Sequence, residues 1–409
     1  MIKGEMKGPL SGVRVLAVEH AQAGPYGSML LGDLGAEVIK IESPEGDMSR
    51  TFAGPQHKGE TYYFMAFNRS KKSLVLDLGT ETGKEVFCDL VKISDVVWDN
   101  FRAGVMERLG LDYESLKKIK PSIICCSITG YGSSGPYRER PSFDIVAQAL
   151  SGIMSITGEP DGAPLKTGIA VADLSGGFFG ALGVAAALAK RAVTGEGQKV
   201  EISLLNTCIS LLAYHLSYYF CSGDVPKRLG SGHLSVIPFG AYETKEGHIA
   251  LGICWPRVAR TIGAEWMIDD PRFSTQEERW KHRQEFEEIF REHFSKATAE
   301  DWEELFKVDD IPGGPVNTLD KAAIDPQVLH NKMVLNLKHP LGGEIKLAGN
   351  PVKMPGCIDE EYSPPPTLGQ HSAEILSQLL GYSEEKIRKL REEQEKHIEE
   401  LKAHVHKQL

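Results

Sequence analysis

The stretch VRVLAVEHAQAGPYGSMLLGDLGAEVIKIE, residues 13–42, decides the fold class. Residues 13–19 are an apolar run of strand length, residues 23–26 read as a Gly/Pro turn, residues 28–34 carry a helical pattern, and residues 37–42 form a second apolar run closed by Glu42. Two strand-like runs joined through a helix make a βαβ unit, because parallel strands need a long crossover that a helix supplies.

Further strand-like runs recur at residues 73–78, 96–98, 123–128 and 200–202, with helical stretches such as residues 82–92 between them. This alternation predicts an α/β protein built on a mainly parallel, doubly wound sheet. Asp173 precedes LSGGFFGALGVAAALAKRA, a helix whose small residues permit close packing and so predict a central position. After Phe220 the texture changes. Residues 221–240 are a turn-rich linker, residues 241–253 a hairpin, and residues 277–294 and 299–306 charged amphipathic helices. The loop IPGGPVNT, residues 311–318, is expected to carry the chain back out of a second domain. The expected organisation is a large domain over residues 1–222, a smaller α+β domain with its linkers over 223–325, and a C-terminal part, 326–409, that returns to the large domain. Residues 384–404 are polar over most faces and predict a terminal helix that is solvated or packed on a partner.

Composition narrows the function classes. At 409 residues, with 41% hydrophobic and 25% charged residues, the chain has the makings of a multidomain globular protein. A formal net charge of -10 provides no broad positive field, so nucleic acid is excluded as an expected partner. Seven cysteines, an odd number with no spaced ligand pattern, predict buried reduced thiols and no metal. The N-terminus lacks the apolar core of a secretion signal, and no uncharged apolar run reaches membrane-spanning length; a cytoplasmic protein with no membrane partner is expected.

Familiar nucleotide motifs fail on inspection. The first βαβ unit carries Ala23-Gly24-Pro25-Tyr26-Gly27 where a nicotinamide fingerprint needs GxGxxG. GTETGK, residues 79–84, is one residue short of a P-loop and is followed by Glu85, so it reads as a helix start. What remains is a distributed set. The loops after successive parallel strands gather at one sheet edge, where Lys40, Lys71, Lys72, Arg102 and Arg108 can converge on a multiply charged ligand such as an ADP 3'-phosphate with a pyrophosphate. Asp173, just ahead of a helix, reads plainly as an N-cap; the same placement also suits a carboxylate that does chemistry beside helix N–H donors.

The ordered combination of the opening stretch with NRSKKSLVLDL (68–78), DNFRAGVMERLGLDYE (99–114), SITGYGSSGPY (127–137), SFDIVAQALSG (142–152), TGEPDGAPLKTGIAVADLSGGFFGALGVAAAL (157–188) and TGEGQKVEISL (194–204) resembles the family III CoA-transferases. These are the CaiB/BaiF family, which includes formyl-CoA and carnitine CoA-transferases. The likeness returns at IPGGPVNT, DPQV and GNPVKM. It implies coenzyme A as cosubstrate with acyl-CoA and organic acid partners, Asp173 as nucleophile, Gln22 beside it, and Asp144 as an acidic residue near the site. It carries CoA contacts over to Gln22, Ala23, Lys40, Lys71, Lys72, Leu74, Asn100, Phe101 and Arg108. It also implies a Rossmann-like large domain made from both chain ends, a small domain between them, and a homodimer of interlocked rings.

Two other readings compete. An α-methylacyl-CoA racemase shares the fold and the aspartate but needs a histidine as second proton-transfer group, and Phe143 stands in the corresponding segment Ser142-Phe143-Asp144. A non-catalytic CoA-binding protein has no use for Asp173. Acid specificity is expected from residues 233–242. The glycine-rich flap of oxalate-using formyl-CoA transferases is reduced there to GSG, residues 230–232, which argues against formyl-CoA/oxalate chemistry.

Overall fold

The computed structural model describes residues 8–51, 54–357 and 361–406. They divide into two compact units, one formed by residues 8–151, 168–212 and 331–406, the other by residues 152–167 and 213–330.

The first unit is built on a six-stranded parallel sheet. Its strands are β1 (Arg14–Val18), β2 (Glu37–Glu42), β3 (Lys71–Val75), β4 (Val96–Asp99), β5 (Ile124–Thr129) and β6 (Gln198–Ser203), side by side in the order β3-β2-β1-β4-β5-β6. Val15, Leu16, Ala17, Ile39, Val96, Trp98 and Ile124 have no exposed surface. Helices cover both faces of such a sheet, which is why its inner strands read as continuous apolar runs. Strand order reverses between β1 and β4, and the crevice beyond their carboxyl ends is where doubly wound sheets bind ligands.

The Gly/Pro segment expected as a turn is the first turn of helix α1 (Ala23–Asp33). Proline has no N–H to donate, and the first turn has no intrahelical acceptor to offer one, so Pro25 costs the helix nothing there. Helix α2 covers Tyr62–Phe67, and α3 covers Glu81–Lys92. GTETGK is a helix start: the Thr80 hydroxyl accepts the N–H of Gly83 and caps α3. Helices α4 (Asp144–Ser151) and α5 (Val171–Thr194) complete the crossover to β6.

By length and hydropathy α5 is apolar enough to cross a membrane, yet its glycine face is buried in the unit. A β-carbon on Gly177 would lie 2.5 Å from the Ala23 carbonyl oxygen, and one on Gly27 would lie 2.4 Å from the Trp98 ring and 2.5 Å from the Gly177 carbonyl oxygen. The central position expected for this helix thus depends on glycine on both sides of the α1–α5 contact. The C-terminal helix α6 (Glu384–His406) buries Leu390 in the core shared with Val86, Phe87 and Leu90 of α3.

The second unit holds a three-stranded antiparallel sheet in which Gly240–Glu243 and His248–Leu251 form the expected hairpin. Gly313–Pro315, read as an exit loop, pairs with His248–Leu251 as the third strand. The helix expected over residues 277–294 is two, Gln276–Lys281 and Arg283–Phe294, interrupted at His282, whose ring Nδ1 donates to the Glu278 carbonyl. Phe273, Phe286, Phe290 and Phe294 are fully buried and make this unit's core.

Candidate active site

At the carboxyl ends of β1 and β4 lies a cavity of about 160 Å³ whose lining includes Gln22, Ala23, Asn100, Phe101, Phe143 and Asp173. Each element delivers its residue for a local reason. Beyond β1 the chain turns sharply through Ala21, at φ 59°, and enters α1 at Gln22. Beyond β4, Asn100 locks that turn to its own loop: its Oδ1 accepts the His20 N–H at 2.8 Å and its Nδ2 donates to the His20 carbonyl at 2.8 Å. Tyr63 of α2 donates its hydroxyl to Gln22 Oε1 at 2.8 Å, so the Gln22 amide presents its NH2 elsewhere.

Asp173 is not the cap of its helix. The N-cap position of α5 is Ala170, which makes no side-chain cap, and Asp173 is the third helical residue. The cap comes from the neighbouring helix: Asp144 Oδ1 accepts the N–H of Ala172 at 2.8 Å and of Asp173 at 3.4 Å, while its Oδ2 takes Gln148 Nε2 at 2.6 Å. Burial, and then the charge of Asp144, push the Asp173 carboxyl up to about 7. Burial, followed by the negative charges of Asp173, Asp47 and Asp144, raises the Tyr63 phenol to about 12, so it remains a hydrogen-bond donor at neutral pH.

Five of the residues expected to contact CoA do not line this cavity. Lys40 and Lys71 have side chains with no exposed surface, and both are paired: Lys40 with Asp47 at 2.7 Å, Lys71 with Glu19 at 2.7 Å. Lys71 also donates to the Pro25 carbonyl at 2.9 Å and to Asn68 at 2.9 Å, and burial brings it down to about 8 despite Glu19. These lysines are fold-holding charges, because a cation desolvated on every side persists only against an acid partner. Lys72 bridges Glu37 and Glu374 at the surface, and Leu74 is a fully buried core residue. Arg108 is exposed beside Gly104 and does not line the cavity.

The cations that do line it are Arg102, Arg138 and Arg140. Arg138 and Arg140, not among the residues expected from sequence, lie in the segment between β5 and α4, a loop that follows a parallel strand like those that carry Gln22 and Asn100. Arg140 stacks its guanidinium 3.9 Å from the Tyr137 ring centroid, and Arg138 pairs with Glu139 at 3.3 Å. Residues 233–242 belong to the second unit, where the His233 ring stacks on Tyr214 at 5.7 Å. Among the described residues no group of three or more His, Cys, Asp or Glu is placed to hold a metal ion.

A buried carboxylate raised to about 7, in a cavity also lined by the start of α1 and by three arginines, can attack an activated acyl group and have the resulting oxyanion met by N–H donors. The model of CoA-transferase family III matches residues 10–372. The chain is 38% identical to the succinyl-CoA:glutarate CoA-transferase of Mus musculus, over 93% of this chain and 89% of that protein. It is 36% identical to the succinate–glutarate CoA-transferase of Agrobacterium fabrum, over 91% and 96% of the two chains. The crystal structure of a CAIB/BAIF family protein from Brucella suis superposes with a TM-score of 0.81 at 35% identity, covering 91% of this chain and all of that one.

Proposed function

The chain belongs to CoA-transferase family III and is a CoA-transferase; from that premise we propose that it transfers coenzyme A through a covalent intermediate on Asp173. The observation that carries this reading is the Asp173 carboxylate itself, raised to about 7 at the cavity that Gln22, Ala23, Asn100 and Phe101 also line.

An Asp173 oxygen attacks the thioester carbonyl of the donor acyl-CoA. The tetrahedral oxyanion collapses with cleavage of the C–S bond, giving an aspartyl–acyl anhydride and CoA thiolate. The thiolate then attacks the aspartyl carbonyl, releasing the donor as a free carboxylate and leaving CoA as a thioester on Asp173. An acceptor carboxylate repeats the sequence in reverse: its oxygen attacks the aspartyl thioester, thiolate leaves, and thiolate returns to the acceptor acyl carbon. No proton is transferred, so no general base is required. A raised carboxylate pKa favours the attack, since a more basic oxygen is the better nucleophile. The first-turn N–H groups of α1, with the Gln22 amide, are the oxyanion donors in this scheme, because a helix start leaves them without intrahelical acceptors. Asp144 acts by capping α5 and by holding Asp173 high. Arg102, Arg138 and Arg140 supply the positive charge for the phosphates of CoA.

For the substrates we propose a succinyl-CoA-type donor and a dicarboxylic acceptor, supported by the names of the mouse and Agrobacterium relatives. We also propose a homodimer with interlocked subunits. Its support is the apolar surface left open on α4 and α5, where Ile145, Leu150, Phe178 and Leu182 are each about half exposed. Sedimentation at micromolar concentration tests the stoichiometry; a monomer would end the dimer proposal.

The test of the mechanism is incubation with succinyl-CoA and a panel of dicarboxylates, followed by digestion and mass spectrometry of the Asp173 peptide. CoA or acyl on that peptide, with new acyl-CoA in solution, is expected. Transfer that survives Asp173→Asn would overturn it.

A further inference from the structure

We infer that Asp47, which lines no part of the cavity, is a positioning residue for the transfer reaction: it holds Ala21 in a left-handed turn and so aims Gln22 and the start of α1 at Asp173. The inference rests on the reading of Gln22 and Asp173 as site residues.

Ala21 has φ 59°. A residue with a β-carbon adopts that conformation only when its surroundings impose it, and such strain concentrates at working sites. Here the imposing bonds can be counted. Lys40 Nζ donates to the Glu19 carbonyl at 3.3 Å, Asn100 takes both backbone groups of His20, and Asp47 Oδ1 accepts the Ala21 N–H at 3.1 Å. Asp47 is itself bonded through its backbone and both carboxylate oxygens. The same Oδ1 accepts the Ser49 N–H and hydroxyl at 2.8 Å each, Oδ2 takes Lys40 at 2.7 Å, and its backbone N–H donates to Glu42 at 3.1 Å.

Lys40, expected to meet a ligand phosphate, is thereby the residue that fixes Asp47 and the carbonyl of Glu19 together. An ordinary helical or extended conformation at residue 21 would swing Gln22 and the first-turn N–H groups of α1 off the line to Asp173. A displacement of about 1 Å in a positioning group can cost about 100-fold in rate.

The test measures kcat and KM for succinyl-CoA, and the single-turnover rate of Asp173 labelling, in Asp47→Asn, Asp47→Ala and Ala21→Val, with thermal melts alongside. Ala21→Val strains the turn without touching the buried ion pair, so it remains informative if Asp47→Ala fails to fold. Folded Asp47→Ala and Ala21→Val are each expected to lose about 100-fold in kcat and labelling rate with KM changed by less than about threefold, whereas Asp47→Asn, whose amide oxygen still accepts the Ala21 N–H, is expected to keep kcat within about tenfold. The double variant Asp47→Ala/Ala21→Gly, compared with Asp47→Ala and with Ala21→Gly alone, is expected to regain about tenfold in kcat without regaining melting temperature, since glycine enters the left-handed region unaided. Wild-type kcat in folded Asp47→Ala or Ala21→Val, or a rescue that tracks melting temperature only, would overturn the inference. Asp173→Asn is run in parallel. If it still transfers CoA, the underlying site reading has failed; if it is dead while the Asp47 and Ala21 variants are fully active, only the positioning role has.

Discussion

Asp144 caps the helix that carries Asp173, accepting the Asp173 N–H at 3.4 Å and that of Ala172 at 2.8 Å, while its negative charge helps hold the Asp173 carboxyl near 7. One side chain thus fixes the backbone at Asp173 and tunes the acidity of its carboxyl.

This coupling sets the pH profile. In the proposed mechanism the reactive form of Asp173 is the carboxylate, so kcat/KM is expected to fall as pH drops below about 7. Asn at 144 keeps an oxygen for the cap but removes the like charge. Asp144→Asn should therefore move the acid limb to lower pH, by about one unit, with little change on the alkaline side. A pH–rate series on both proteins measures it; an unmoved limb would separate Asp144 from the electrostatics of the site.

The same shift has a stability counterpart. Asp173 has a folded value above its unfolded value of 3.8, so the folded state binds its proton more tightly, and the stability this lends is present at low pH and lost as pH rises towards 7. Asp173→Asn, which removes the penalty of a buried charge, is expected to melt higher than the parent. The gain should grow between pH 4 and pH 7 and then level off. Differential scanning calorimetry across that range reads it directly.

The α1–α5 contact should tolerate no added carbon. Ala at 27 would put a methyl 2.4 Å from the Trp98 ring and 2.5 Å from the Gly177 carbonyl oxygen, neighbours fixed by the sheet and by a helix backbone. We expect Gly27→Ala to cost about 3 kcal/mol or more and to lower activity with it. Urea denaturation gives the figure; a loss under 1 kcal/mol would mean the helices part more easily than their packing implies.

Arg138 should govern binding more than turnover. Arg138→Ala is expected to raise KM for acyl-CoA about tenfold with kcat within about twofold, and the difference should shrink at high salt because phosphate contacts at an open cleft are screened. Initial rates at two ionic strengths test both parts.

Much of this molecule was legible in its sequence. The βαβ opening, the parallel sheet and the small-residue helix follow from periodicity and composition, and Asp173, Gln22, Ala23, Asn100 and Phe101 do meet at one cavity. Where expectation and structure part, the reasons are physical. A lysine in sequence looks solvated, but whether it faces a ligand or an acid in the core depends on partners far along the chain: Lys71 meets Glu19 across 52 residues, and Lys72 meets Glu374 across 302. Proline in a Gly/Pro pair looks like a turn, yet Pro25 sits in a helix's first turn, where its missing donor is not needed. Asp173 looked like a cap because Asp144, the real one, comes from a separate helix.

The buried pairing of Lys40 and Lys71 bears on redesign. Had those lysines gripped the ligand, any change of specificity would have risked unfolding the protein, since the same charges would serve both ends. Because they are committed to buried acids, while Arg138 and Arg140 sit in the segment between β5 and α4, the scaffold and the loop proposed to bind CoA are separable parts. An engineer can graft or randomise residues 133–142 in a library and leave the frame that holds Asp173 as it is.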